Sequence, residues 1–230
     1  MQKKLFKIIL FIFVIILSIP LLGCKTAIEK YGNYISELRD NIFLAQAENF
    51  SVKIITGRRE DPFIMDGIVG EVRDFTVITV TPLLGLVQEL NYSALINGET
   101  FEGALIPHPF QNTLSIDLRV FANGEDISVK LKYQAGENIT ETVLTAKSVR
   151  TPDMIDAHKA IEIAEKQLRY RIADFRVDGN FEAEIFVRLL QNPIDNSGGF
   201  YWYVAFIART GEIVATLINP ISMEVVAVRD

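Results

Sequence analysis

Apolar and polar residues alternate with period two along much of the stretch between Asn49 and Lys147, and that alternation predicts strands. Phe50–Ile55 and Asp74–Thr81 alternate, the second with β-branched residues. Tyr92–Ile96 and Thr100–Leu105 flank Asn97-Gly98, a pair that favours the primed turns of tight hairpins. Between Thr113 and Phe121, Leu114, Ile116, Leu118 and Val120 share one face, and Ser115, Asp117 and Arg119 the other. Asn123-Gly124 turns the chain into Ile127–Tyr133, where Ile127, Val129, Leu131 and Tyr133 point one way. A last strand is expected near Thr142–Lys147.

Six or seven short strands at this spacing predict an immunoglobulin-like β-sandwich over residues 49–148, without the Cys…Trp…Cys pattern of true immunoglobulin domains. Before it, Ile28, Tyr31, Ile35, Leu38, Ile42 and Ala45 follow a 3-4-3-4 spacing, so residues 24–48 read as a tether and an amphipathic helix. After it, Ser148–Asp153 marks a boundary. Thr151 is the expected cap and Pro152 the first helical turn of a helix carrying Met154, Ala157, Ile161, Ala164 and Leu168 on one face. Strands at Phe181–Leu190, Tyr201–Ala208, Glu212–Ile218 and Glu224–Arg229 complete a helix-plus-antiparallel-meander unit. The fold class is therefore mainly β with an α+β part. In residues 152–230 the helix AHKAIEIAEKQL (Ala157–Leu168), the aromatic strand YWYVAFIA (Tyr201–Ala208), the turn Arg209–Ile213 and a closing strand resemble a PepSY-type domain. That resemblance implies an extracytoplasmic setting and an association with restraint of secreted peptidases.

The first 23 residues follow a different pattern. Met1–Lys7 is short and positive, and Ile8–Ile19 is an unbroken apolar run. Pro20 then precedes Leu21-Leu22-Gly23-Cys24. A run this short, ended by proline, is a poor spanning helix and a good export signal. Leu21–Cys24 resembles the lipobox of bacterial lipoproteins, with Leu22 where Ser or Ala is commoner. The resemblance implies a signal peptide at residues 1–23, diacylglycerol on Cys24, and a protein lipid-anchored on the extracytoplasmic face of a cell membrane. Two acyl chains suffice for stable attachment.

Charge and cysteine usage narrow the function classes. The net charge is −6; residues 1–23 hold three lysines and no acid, so the remainder carries 20 basic against 29 acidic residues, a net of −9. An acidic body argues against nucleic acid as a partner, and against a polybasic grip on anionic lipid. Cys24 is the only cysteine, which rules out an internal disulfide and thiolate metal clusters. His108 and His158 have neither HExxH context nor a cysteine partner, so no metal or other cofactor is expected. Nucleophile elbow, Walker A and GxGxxG signatures are absent, and no catalytic residue is assigned.

Two features are candidate binding surfaces. The aromatic run Tyr201, Trp202 and Tyr203 places large side chains on both faces of a strand. Arg58 and Arg59, in the charged segment Arg58–Phe63, offer a guanidinium fork to a ligand. The reading is a non-enzymatic binding or assembly module whose partners are the membrane, through lipid on Cys24, and an envelope or secreted protein. The rival readings are a cell-envelope hydrolase or its accessory subunit, and a ligand-binding sensor using the aromatic strand.

Overall fold

The computed structural model describes residues 30–85, 89–135, 138–194 and 198–229. Residues 1–23, expected to be a signal peptide, Cys24 and Asp195–Ser197 lie outside them. The described chain opens with a short 3-10 turn at Gly32–Tyr34 and continues as β1 (Ile35–Gln46), β2 (Phe50–Glu60), β3 (Val72–Pro82), β4 (Leu90–Ile96), β5 (Glu99–Ala104), β6 (Ile106–Pro107), β7 (Leu114–Leu118), β8 (Asp126–Ala135) and β9 (Asn138–Ser148). The helix α1 (Ala157–Asp174) follows. The small hairpin β10 (Arg176–Val177) and β11 (Asn180–Phe181) comes next, then β12 (Ala183–Gln191), β13 (Phe200–Ala208), β14 (Ile213–Ile218) and β15 (Val225–Arg229).

Two expectations are corrected. The N-terminal amphipathic helix is a strand from Ile35 onward, and the two-sheet sandwich is replaced by one 13-stranded sheet nearly closed into a barrel. Both corrections turn on β1. It pairs with β2 along its length, with β9 through Phe43 and Leu44, and in parallel with β12 through Ile35–Arg39. A strand with partners on both sides leaves no gap between two stacked sheets, so the order β5-β4-β8-β9-β1-β2-β3-β7-β6 curls around a single core. The helical spacing in β1 has a local cause. The register slips by a residue between Ile35 and Glu37, so Ile35 and Leu38, three apart, reach the same core. Gly57 of β2 belongs to this region, since a Cβ there would sit 1.8 Å from the carbonyl oxygen of Leu38.

The barrel core is built from Phe43, Phe50, Val52, Ile54, Ile78, Val80, Ala94, Val129 and Leu131, each at most 1% exposed. Its buried hydroxyls are satisfied. Thr56 Oγ1 lies 3.1 Å from Thr76 Oγ1 and accepts from the Ala122 amide, while the Thr76 hydroxyl donates to the Val120 carbonyl. Asn97 (φ 54) and Gly98 (φ 83) make the primed turn between β4 and β5.

The second core lies between α1 and the meander β12–β15. Ala157, Ala160, Ile161, Ala164, Leu168 and Ile172 face Trp202, Val204, Phe206, Val214 and Ile218. The alanines let the helix approach the sheet closely. The helix starts later than expected: Asp156, not Thr151, is its cap, and its carboxylate accepts from the Lys159 amide at 2.8 Å.

Candidate functional site

Two groups of exposed apolar side chains stand at opposite ends of β1. The distal group sits where β1 and β3 finish. The Leu83 amide donates to the Asn49 carbonyl at 2.8 Å, which ties the loop after β3 to the β1–β2 turn. The β6–β7 loop lies alongside, because Asn112 Nδ2 donates to the carbonyls of Pro82 (3.2 Å) and Gly85 (3.5 Å). Together they carry Leu83, Leu84, Ile106 and Phe110, with Phe110 92% exposed. The loop holding Phe110 is stiff. Pro107 and Pro109 fix two φ angles, the His108 amide donates to the Thr113 carbonyl, and His108 Nδ1 accepts from the Phe110 amide at 3.2 Å. A large aromatic side chain is thereby held in solvent on an ordered scaffold.

The proximal group is the segment joining β2 to β3, residues 61–71. Phe63, Ile64, Met65 and Ile68 are 46–55% exposed. The segment is fastened at its base. Glu60 Oε1 accepts from the Gly70 amide at 2.7 Å, and Glu184 Oε1 accepts from the Gly67 amide at 3.1 Å. Gly67 (φ +78) lies so close to β13 that a Cβ would meet the Arg209 nitrogen at 2.5 Å. The Phe63 ring packs 5.5 Å from that of Phe186. Glu60 and Glu184 are both buried, and the second oxygen of each finds no partner among the described residues. Burial pushes the Glu60 carboxyl above the ordinary glutamate range; Glu184 and Asp66 push the same way, and the Gly70 hydrogen bond partly offsets them.

The expected site residues are not gathered together. Trp202 is 0% exposed, its indole donating to the Ile155 carbonyl at 2.9 Å under α1, so the expected surface platform loses its central residue. Tyr201 and Tyr203 are half-buried on the opposite face of β13, where the sheet carries Phe186 and Ile207. Arg58 pairs with Asp74 at 3.1 Å, and Arg59 pairs with Asp117 while lying over the Phe75 ring at 4.7 Å. The guanidinium fork is engaged within the molecule. Arg73 and Arg119 extend this network through Asp61 and Asp117. Cys24 lies outside the described residues.

Among the described residues, no three His, Cys, Asp or Glu side chains are placed to hold a metal, and no helix is long and apolar enough to cross a membrane. Two open grooves, of about 450 and 620 Å³, mix both signs of charge: Lys130, Lys132, Glu102 and Glu141 in one, Glu125, Asp126, Lys147 and Arg150 in the other. Sequence reasoning passed over the two apolar loops and the buried glutamates. Phe110 directly after the Pro107-His108-Pro109 loop and the run Phe63-Ile64-Met65 outside any alternating segment were the available signals. No family model, curated protein or solved structure matches the chain.

Proposed function

We propose that this protein is an extracytoplasmic lipoprotein, held to a membrane by lipid on Cys24, which binds an envelope or secreted protein through its distal rim. The observation that carries the binding reading is Phe110: a fully presented aromatic ring on a loop whose backbone is already ordered. Aromatic side chains dominate interface hot spots, and an ordered loop loses little entropy on binding. Leu83, Leu84 and Ile106 supply an apolar surround. The anchor reading rests on Leu21–Cys24 behind the apolar run. The helix laid over the β12–β15 meander supports the PepSY-like reading of residues 152–230.

The test has two parts. Cys24→Ala should leave an unprocessed precursor without fatty-acid label, and palmitate incorporation by that variant would reject the anchor. A photo-crosslinking residue at Phe110 in the native lipoprotein should give a discrete protein adduct. Phe110→Ser should weaken capture of that partner by tens of fold, about 1.4 kcal/mol per factor of ten, with the melting curve unchanged. Undiminished capture would reject the rim.

A further inference from the structure

We propose that the proximal segment, through Phe63, Ile64, Met65 and Ile68, rests in the bilayer surface and fixes the orientation of the body on the membrane; this rests on the lipid-anchor reading. The argument is one of reach. Five residues lie between Cys24 and Lys30, the first described residue, and the six residue-to-residue steps span at most about 21 Å when fully extended. Lys30 and Tyr31 are fastened to the body: Lys30 pairs with Glu165 of α1, and the Tyr31 ring packs 5.9 Å from that of Phe206. Phe206 lies two residues before the end of β13, and Gly67 lies against Ala208 and Arg209 at that end. Three strand residues span about 10 Å. The tether and the apolar segment therefore leave the body at the same end of the sheet, within the tether's own length of each other.

A lipidated Cys24 thus brings that end to the membrane whatever else the protein binds. Four half-exposed apolar side chains there meet the interfacial region rather than bulk water. Asp66 is exposed and its Oδ1 accepts from the Ile68 amide at 3.0 Å; its charge belongs at the level of the polar headgroups, with the apolar side chains beside it reaching deeper. The attraction is apolar rather than electrostatic, in keeping with an acidic body. Phe110 stands at the other end of β1, whose twelve residues at about 3.3 Å each make a strand about 40 Å long, so the rim is held away from the bilayer.

The test uses the full lipoprotein reconstituted in phosphatidylethanolamine/phosphatidylglycerol vesicles containing nitroxide-labelled lipid. Cys24 is the only cysteine, and lipidation consumes its thiol. Met65→Cys and Phe110→Cys should therefore each accept one environment-sensitive fluorophore. The expected result is blue-shifted emission at position 65, quenched by the nitroxide several-fold more than at position 110. Equal quenching at the two positions overturns the proposal. So does a label at 65 that is shielded from water yet unquenched, which would place a protein partner or a second copy there. Incorporation of two fluorophores per chain would show a free Cys24 thiol; the anchor reading itself then fails, separately from the docking.

Discussion

Ile42 and Phe43 are consecutive residues of β1, both essentially without solvent exposure, and they belong to different cores: Ile42 to the one under α1, Phe43 to the barrel. One strand thus serves as a wall common to both halves of the molecule. The two cores should accordingly melt together. Phe43→Ala, which removes barrel packing, is expected to cost about 3–5 kcal/mol. It should shift the transition seen by Trp202 fluorescence, which reports the other core, as far as that seen by far-ultraviolet circular dichroism. An unmoved Trp202 transition would show that the cores unfold independently.

The same relationship bears on dissection. Residues 152–230 expressed alone lack β1, the parallel partner of β12, and lose Tyr31, Ile35, Leu38 and Ile42 from the core. That fragment should give a poorly dispersed NMR spectrum. A well-dispersed spectrum would mean that β12 tolerates an open edge.

Trp202 fills the centre of the α1–meander core and its indole N–H has a buried partner. Trp202→Ala is expected to cost about 3–5 kcal/mol, combining lost transfer energy with a residual cavity. Thermal denaturation measures it directly. A loss of partner capture without a lower melting temperature would return Trp202 to the surface.

Glu37 is 2% exposed and holds two guanidiniums: Arg39 Nε at 2.7 Å, and Arg188, which pairs through Nε and an Nη. Glu37→Ala leaves Arg188 half-buried without its counter-charge and should cost about 3–5 kcal/mol. Combining it with Arg188→Met should recover much of that loss. A double variant no more stable than Glu37→Ala would mean that the carboxylate acts through packing alone.

Glu60 gives the pH dependence. Its folded pKa is raised above the ordinary 4.5, so the folded state holds that proton more tightly than the unfolded chain does. The sign follows: above the raised pKa the group detracts from stability, and the penalty fades as pH falls through that pKa toward 4.5. Glu60→Gln keeps an oxygen for the Gly70 amide and removes the charge. The variant should be the more stable of the two at neutral pH, and the difference should vanish near 4.5. A constant offset in denaturation midpoints across that range would contradict this account.

The strands were legible wherever local alternation and turn chemistry agreed. Leu114, Ile116 and Leu118 of β7, and Ile127, Val129 and Leu131 of β8, turn one face to the barrel core, and Asn97-Gly98 makes its turn. Where pairing is non-local the sequence misled. Residues 35–42 carry helical spacing because β1 is irregular against its neighbours, and its partner β12 lies about 150 residues on. The candidate surfaces fared similarly. Trp202 and Arg59 drew attention by residue type, yet what covers Trp202 and neutralises Arg59 comes from α1 and β7. Phe110 is an ordinary loop phenylalanine until the strands around it leave it in solvent.

The parallel pairing of β1 with β12 has a consequence for biogenesis. The neighbours that close the barrel around β1, from β2 to β9, lie within residues 50–148, whereas Leu38 must wait for Val187. Closing so long a loop is slow as well as entropically costly. An emerging chain therefore completes the barrel first and leaves one flank of β1 unpaired until the meander arrives. During that interval the flank is an open template, and a chaperone that shields it would govern the yield of folded protein.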